Sequence, residues 1–248
     1  MDRSEWLKKT RAQCQALYDR IAPLYWDTYG FYDNQTHLEF LRKFFSRLAP
    51  DSSILSAACG AGRYDGLLLD AGHRVLGIDQ SAGMLARARQ HFPAADYPGL
   101  RYDHIGLQEM DFQAEFDGAI CLDALENVPP EDWPSIMASF ARALTPGGWL
   151  YFTVETPNPQ ELRESFEKST AMGLPVVYGE LADQLNADYE KYKDMDPREI
   201  ARSGAIISVY HYYPSENQVR AWLSGTGLTI TETGTGHWYQ HYLARKSS

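Results

Sequence analysis

Two glycines and an aspartate, placed at the ends of neighbouring apolar runs, have the spacing that most clearly predicts chemistry in this chain. Gly60 and Gly62 end the apolar run at residues 53–58, and glycines at such a turn let a ligand approach the backbone closely. Asp79 ends the next apolar run, where a carboxylate can accept hydrogen bonds from both hydroxyls of a ribose. The pattern predicts a site for a ligand that contains a nucleoside.

Two kinds of nucleoside cofactor are bound by a strand followed by a glycine turn. A dinucleotide needs a further glycine, three residues after the second, so that its pyrophosphate can reach the helix end. Asp65 stands at that position, and its carboxylate would repel a pyrophosphate. S-adenosylmethionine has no phosphate and carries a positive sulfonium, so acidic surroundings suit it. The residues therefore favour S-adenosylmethionine over a nicotinamide cofactor. A plain strand–helix turn capped by Asp79 is the alternative without a ligand.

The elements that must position these residues alternate along the middle of the chain. Apolar runs predict strands at residues 53–58, 74–79, 100–105, 117–123 and 149–155. Apolar residues at helical spacing predict helices at residues 64–71, 81–92 and 130–144. This alternation predicts a parallel sheet covered on both faces, with its ligand site at the carboxyl ends of the strands.

The flanking segments have other patterns. A helix is predicted over residues 3–22, and Thr36 followed by Glu39 predicts a capping box for a second helix. Residues 157–205 are polar, acidic and too long for an ordinary loop, which predicts a mostly helical insertion.

The closing segment predicts a helix opened by Ser215 with Gln218, followed at residues 228–246 by two strands joined by a turn that contains glycine. The chain is therefore divided into an N-terminal helical cap at 1–50, a cofactor-binding core at 51–156, an insertion at 157–208 and the rest of the core at 209–248. The insertion is expected to act as a lid over the acceptor.

Charge, apolar runs and cysteine content limit the kinds of molecule that the protein is expected to bind. The net charge is −10 for 248 residues, without a basic stripe, and this disfavours nucleic acid because such binding depends on neutralising phosphates. No apolar run approaches the roughly 18 residues of a membrane span, and the first residues carry no secretion signal. Cys14, Cys59 and Cys121 have neither metal spacing nor an even number for disulfide pairing. We expect a cytoplasmic protein with a small-molecule partner, and leave a homodimer open.

Four ordered segments resemble the motifs of class I S-adenosylmethionine-dependent methyltransferases. The stretch "ILSAACGAGR" at residues 54–63 resembles the family's first motif, "VLDLGCGTGR", without gaps. The stretches "VLGIDQSAGMLARAR", "FDGAICLDALENVPPEDW" and "LTPGGWLYFTV" resemble its second strand and helix, its fourth strand and loop, and the turn into its fifth strand. The resemblance implies an α/β, Rossmann-like, doubly wound and mostly parallel seven-stranded sheet that ends in an antiparallel hairpin.

The resemblance also implies roles for the residues that match these motifs. Gly60 and Gly62 should lie against the methionine part of the cofactor, and Asp79 should hold the ribose hydroxyls. The other expected contacts flank adenine, lie under the methionine part, or belong to the N-terminal helix that closes over the cofactor. They are Tyr18, Tyr25, Ala58, Gln80, Met84, Leu107, Gln108 and Leu122.

Three positions depart from the family pattern. Ser56 stands where the family has an acid in the first strand, Ala58 replaces the first glycine, and Gly106 stands where an Asp is common at the adenine edge. The missing acid often positions the cofactor's amino group, and a hydroxyl or neighbouring backbone can replace it. The departures leave open a degenerate relative that binds S-adenosylmethionine or S-adenosylhomocysteine without transferring a methyl group.

Methyl transfer depends largely on holding the acceptor close and aligned, so no catalytic dyad is required. The loop after the fourth predicted strand should bring Asp123, Glu126 and Asn127 near the methyl group. Glu126 or Asp123 can orient an amine or a hydroxyl, whereas Asn127 cannot act as a base. Loop carboxylates that cap the chain or face water are the structural alternative. The expected acceptor is a small organic molecule methylated on oxygen or nitrogen.

Histidines among the C-terminal aromatic residues supply another candidate base. His211 is the first choice, because a histidine has a pKa suited to neutral pH. His237 and His241 are alternatives, and for each of the three a structural or surface role competes with catalysis.

Overall fold

The computed structural model describes residues 2–30, 34–156 and 210–248, with positions 160, 164, 167, 171, 176–178, 184–187 and 196 between them. Helix α1 (Arg3–Tyr29) opens with a capping box of Asp2 and Glu5, and extends beyond the predicted residue 22. Helix α2 (Gln35–Phe45) begins after Asn34, whose side chain accepts hydrogen bonds from the backbone of Thr36 and His37. The capping box predicted at Thr36 was therefore wrong, because Asn34 already caps this helix.

The alternation predicted for the middle of the chain is confirmed. Its strands are β1 (Ser53–Ala57), β2 (Arg74–Asp79), β3 (Leu100–His104), β4 (Phe116–Cys121) and β5 (Leu144–Glu155). Its helices are α3 (Asp65–Asp70), α4 (Ala82–His91) and α5 (Trp133–Ala143). Gly72, at a φ of 83°, follows the end of α3 as predicted, because a left-handed residue after a helix suits glycine.

Further strands are β6 (Val176–Tyr178), β7 (Gln184–Ala187), β8 (Tyr210–Tyr212), β9 (Leu228–Gly236) and β10 (Tyr239–Lys246), and a further helix is α6 (Glu216–Leu223). The capping box of Ser215 and Gln218 at the start of α6 is confirmed. Strands β6, β7 and β8 pair antiparallel in a small separate sheet, which the sequence did not predict. The predicted lid at 157–208 otherwise lies outside the described residues.

The described strands of the main sheet lie in the order β3-β2-β1-β4-β5-β10-β9. The first five are parallel, and β10 runs antiparallel to both β5 and β9. This is the doubly wound sheet with a closing hairpin that the resemblance implied. Strand order reverses between β1 and β4, and a ligand cleft is expected at the carboxyl edge beside such a reversal.

Both faces of the sheet are buried, which explains the near-continuous apolar strands. One face packs against α2, α3 and α4 through Ile54, Val75, Ile120, Tyr151 and Leu243. The other packs against α5 and α6 through Leu55, Leu76, Ala119, Leu150 and Ala244. Among the described helices, none has the length and apolar content needed to cross a bilayer.

The turn of the closing hairpin differs from its prediction. His237 and Trp238 form it, both with positive φ, at 46° and 75°. The expected glycines lie before the turn, within β9. A Cβ on Gly234 would lie 2.8 Å from the ring of Phe40, so this glycine lets α2 pack directly on the hairpin.

Candidate functional site

A cleft of about 740 Å³, including its open mouth, lies at the carboxyl edge of the sheet. Helix α1 forms one wall, and the turns and loops that follow β1, β2, β3 and β4 form the others. Nine residues predicted to contact a cofactor line it: Tyr18, Tyr25, Ala58, Gly60, Asp79, Gln80, Met84, Leu107 and Gln108. The structure therefore brings most of the predicted cofactor site together.

Gly60 and Asp79 form the central polar feature of the cleft. The N–H of Gly60 donates to Oδ2 of Asp79 at 2.9 Å, and the N–H of Ser81 donates to Oδ1 at 2.8 Å. Asp79 is 9% exposed, and burial raises its pKa to about 6. Each oxygen keeps acceptor capacity for a further donor. A ribose with two hydroxyls fits this carboxylate.

The backbone at Gly60 lies open to the cleft. Gly60 has a φ of 56°, and a Cβ placed on it would meet only the ring of Tyr25, at 4.0 Å. Gly62 faces the other way, since a Cβ there would lie 2.8 Å from the Tyr102 hydroxyl. Gly62 is therefore needed for packing against β3, and the predicted contact with the cofactor is not what its geometry indicates.

A second cavity, of about 380 Å³ including its open mouth, adjoins the cleft at the glycine turn. Both share Tyr25, Ala58, Gly60 and Asp123 as wall residues. Leu122, which the resemblance places under the methionine part of the cofactor, lines this second cavity. The two cavities together fit an adenosine joined to a short amino-acid chain.

Asp123 is held by three donors and does not stand free in the loop after β4. His37 Nε2 lies 2.7 Å from its Oδ1, while Arg63 Nη1 and the Tyr64 hydroxyl donate to its Oδ2 at 3.0 and 2.7 Å. Burial opposes ionisation, but the His37 hydrogen bond and the Arg63 charge hold the pKa of Asp123 below its usual value. Such a carboxylate is a weak proton acceptor, so its geometry favours a structural role over the predicted catalytic one.

Glu126 has the opposite environment. It is 5% exposed, in the 3₁₀ turn Leu125–Asn127 after β4. Its Oε1 accepts from Asn127 Nδ2 at 3.4 Å, and no donor in the described part of the chain reaches its Oε2. Burial, with the nearby charge of Glu155, raises the pKa of Glu126 well above its usual value. Burial and the charge of Asp123 raise the pKa of Glu155 to about 7. Both carboxyl groups therefore hold their protons more tightly than an ordinary glutamic acid does, and neither residue lines the cleft or the second cavity.

His211 lies beside Glu155, in the middle of β8, the last strand of the small sheet. Its Nδ1 is 2.8 Å from the Tyr213 hydroxyl and 3.4 Å from Oε2 of Glu155. Burial lowers the pKa of His211 to about 4. The expectation of a pKa suited to neutral pH was therefore wrong, and His211 is a neutral neighbour of the carboxyl pair.

The two alternative histidines lie elsewhere. His241 is buried in the core, with its Nδ1 2.9 Å from the Tyr151 hydroxyl. His237 is exposed in the hairpin turn. Neither lines the cleft or the second cavity.

Helix α1 is tied across the cleft at two points. Oδ1 of Asp19 accepts from the Ser81 hydroxyl at 2.6 Å and from the N–H of Gly83 at 2.8 Å, which joins α1 to the start of α4. The Tyr18 hydroxyl lies 3.4 Å from Oδ1 of Asn127, which joins it to the loop after β4. The position of α1 supports the prediction that this helix closes over a cofactor.

Arg63 and Arg11 were missed by the sequence analysis. Arg63 lines the second cavity and also donates to the Tyr25 hydroxyl at 3.1 Å; its place directly after the glycine pair was the available signal. Arg11 lines the main cleft, and its Nε donates to Asp132 at 2.9 Å. That placement depends on how α1 crosses the domain, so no local pattern indicates it.

Comparison with known proteins adds a family match. A family model described as a methyltransferase domain matches residues 54–148. A ubiquinone biosynthesis O-methyltransferase from Thiobacillus denitrificans is 30% identical over 198 residues, which cover 75% of this chain and 78% of that protein. One of the same name from Hydrogenovibrio crunogenus is 30% identical over 148 residues, or 57% of this chain. The chain spans only 59% of the length of that relative.

Solved structures share the fold at lower identity. A 1,6-didemethyltoxoflavin-N1-methyltransferase from Burkholderia thailandensis, with S-adenosylhomocysteine bound, has a TM-score of 0.58 at 17% identity, covering 87% of this chain and 80% of that one. A magnesium protoporphyrin IX methyltransferase from Synechocystis, with S-adenosylmethionine bound, has a TM-score of 0.56 at 19% identity, covering 86% and 79%.

Proposed function

Because the chain belongs to the class I S-adenosylmethionine-dependent methyltransferases, we propose that it transfers a methyl group from S-adenosylmethionine to an oxygen atom of a small organic acceptor. The observation that carries the proposal is the contact between Gly60 and Asp79 at the edge of the cleft. It provides an open backbone and a buried carboxylate where a nucleoside requires both.

The chain's own residues account for binding. Asp79 accepts the ribose hydroxyls, Met84 and Leu107 supply apolar walls for the base, and Tyr25 covers the glycine turn. Bound there, S-adenosylmethionine supplies a methyl group on a positive sulfur. The walls hold an acceptor in line and exclude water, which accounts for much of the rate gain in a displacement of this type.

The carboxyl pair of Glu126 and Glu155 is placed behind the acceptor side of the cleft: neither residue lines the cleft, but Asn127, which donates to Glu126, does. A hydroxyl loses a proton when its oxygen is methylated, and a base with a pKa near the working pH promotes that loss. Burial has moved the pKa values of both groups upward, in the direction of neutrality. Oxygen is favoured as the accepting atom because two relatives are named O-methyltransferases. Nitrogen is the alternative, as in the name of the Burkholderia protein.

A second candidate is a protein that binds the cofactor without transferring methyl. Ala58, at the position of the family's first glycine, has a φ of 51°, where a side chain is strained. Ser56 also stands where the family has an acid. These two departures are expected in a relative that has lost the ability to transfer a methyl group. A cytoplasmic location is a prediction that accompanies either candidate, and a homodimer stays open for both.

The decisive experiment separates binding from transfer. Calorimetry with S-adenosylhomocysteine should give saturable binding, and mass spectrometry after incubation with S-adenosylmethionine and a panel of phenols, catechols and amines should detect a product 14 Da heavier than one acceptor, the mass of one added CH₂. Binding without any methylated product across the panel would favour the second candidate. No binding of S-adenosylhomocysteine would contradict both.

A further inference from the structure

Beneath the glycine turn lies a buried carboxylate without a cation beside it. Asp65 begins α3 and is fully buried. The Ser56 hydroxyl donates to its Oδ1 at 2.6 Å, and the Tyr102 hydroxyl donates to its Oδ2 at 2.8 Å. Across residues 2–30, 34–156 and 210–248, no lysine, arginine or histidine forms an ion pair with it. A buried carboxylate without a cation is unfavourable, and burial raises the pKa of Asp65 to about 6.

Ser56 connects this carboxylate to the second cavity. Ser56 belongs to the wall of this cavity, with Ala58 and Gly60. A hydroxyl has one proton, and Ser56 uses it in the hydrogen bond that it donates to Asp65. Toward any third group, the Ser56 oxygen can therefore only accept a hydrogen bond. The wall therefore presents an acceptor that is polarised by a carboxylate behind it.

A positively charged hydrogen-bond donor, such as an ammonium group, is well suited to an acceptor of this kind. Arg63 lines the same cavity and carries a positive charge, which pairs with the carboxylate of Asp123 in the same wall. The cavity therefore offers an acceptor oxygen at Ser56 and a guanidinium at Arg63, two groups that can meet the ammonium and the carboxylate of an amino acid.

We propose that Asp65, acting through the hydroxyl of Ser56, positions the ammonium group at the amino-acid end of S-adenosylmethionine. The inference rests on the proposed function. It explains how this chain can lack an acid at position 56, since Asp65 supplies the same charge from the first turn of α3. Asp65 is a positioning residue, because its own oxygens are fully covered and the Ser56 oxygen makes the contact.

The test compares two ligands on matched variants. S-adenosylhomocysteine carries the ammonium, whereas 5′-methylthioadenosine has the same nucleoside and sulfur without the amino-acid end. D65N should weaken binding of S-adenosylhomocysteine by about tenfold or more, as expected for loss of a charge-assisted hydrogen bond. Binding of 5′-methylthioadenosine should change by less than about threefold. Calorimetry measures both affinities without requiring turnover.

Moving the carboxylate from position 65 to position 56 should restore binding of S-adenosylhomocysteine. The double variant S56D/D65N moves the carboxylate onto β1, and should restore S-adenosylhomocysteine affinity to within about threefold of wild type. The control Y102F removes a hydroxyl from Asp65 but keeps its charge, so it should lower the melting temperature while retaining the affinity. If D65N alone fails to fold, the affinity of the double variant for S-adenosylhomocysteine, compared with that of the wild type, decides the question.

Two outcomes would overturn the inference. In one, D65N weakens both ligands equally, which is the behaviour of a residue that only supports the glycine turn. In the other, the folded double variant binds 5′-methylthioadenosine normally but S-adenosylhomocysteine poorly. Wild-type protein that binds neither ligand would instead contradict the proposed function, and the inference with it.

Discussion

His37 and Asp123 join helix α2 to the loop after β4, with Nε2 of the imidazole 2.7 Å from Oδ1 of the carboxylate. Both side chains are almost completely covered. The carboxylate also faces the guanidinium of Arg63 at 3.0 Å. This arrangement fixes the loop that separates the cleft from the core, and it predicts how the protein responds when the carboxylate is neutralised.

Replacing Asp123 by Asn should destabilise the fold more than it changes chemistry. It leaves Arg63 buried without its anion, and breaking a buried ion pair from one side costs about 3 kcal/mol. Urea unfolding measures the loss. The control is Asp51→Asn, which removes an exposed pair with Arg74 and should cost less than about 1 kcal/mol. Equal stability of the two variants would contradict the scaffold role of Asp123.

Ala58→Gly should stabilise the protein. Ala58 has a φ of 51°, where an L-residue is strained by about 1–2 kcal/mol, and glycine removes that strain at an entropic cost of about 0.5–1 kcal/mol. The expected net gain is about 0–1.5 kcal/mol, seen as a higher urea midpoint with an unchanged slope. Ala57→Gly, one residue earlier in β1, is the control and should destabilise. A loss of stability in both variants would show that the Ala58 methyl group provides packing that outweighs its strain.

Much of this site could be predicted because its determinants are local. The glycine turn and Asp79 follow directly from the ends of two strands, and the motif placed Gln80, Met84 and Leu107 beside them. Asp65 shows the limit. The sequence suggested a carboxylate facing a ligand, yet its orientation depends on Tyr102, which β3 brings under the turn.

The pKa of His211 is a second property that could not be predicted from the sequence. A histidine's ordinary pKa is a property of the residue, but the burial that lowers the pKa of His211 to about 4 is a property of the packed domain. The closing hairpin was predicted from its glycines, and their role, making room for α2, becomes visible only when the helix is in place. Local patterns therefore predicted the elements and the residues that line the cleft better than they predicted protonation.

Affinity for S-adenosylhomocysteine should fall as the pH is lowered from 8 to 5. The pKa of Asp79 is raised to about 6, and the ionised carboxylate is the better acceptor for two ribose hydroxyls, so binding strengthens as the pH rises through 6. One group with this pKa predicts a loss of about tenfold at pH 5. Asp79→Asn should weaken binding at pH 8 by roughly 1–3 kcal/mol and reduce the slope of the profile, leaving the part due to Asp65, whose pKa is also raised to about 6. Asp103→Asn, on the neighbouring strand, is the control, and a profile of equal slope in both variants would contradict the role of Asp79.

Glu126→Gln should lower turnover while raising stability at alkaline pH. The pKa of Glu126 is raised in the folded protein, so its contribution to stability falls as the pH rises above the unfolded value of about 4.3. Glutamine removes that penalty, and unfolding at pH 8 should need more urea. Turnover should fall by roughly 10²–10⁴ if the group accepts the acceptor's proton, with little change in S-adenosylhomocysteine affinity. Unaltered turnover on a methylated acceptor would remove Glu126 from the mechanism.

Gly83→Val should separate α1 from α4 and weaken cofactor binding without unfolding the sheet. A Cβ on Gly83 would lie 3.0 Å from the carbonyl oxygen of Asp19, and the branched side chain cannot fit unless the backbone of α1 moves away. The move would break the Asp19 hydrogen bonds at the start of α4 and shift Tyr18 and Tyr25, which line the cleft. We expect weaker binding of S-adenosylhomocysteine and faster proteolysis within the first 30 residues. Gly99→Val is the matched control, because its nearest neighbour would lie 3.8 Å away. Wild-type affinity in Gly83→Val would mean that α1 contributes little to holding the cofactor.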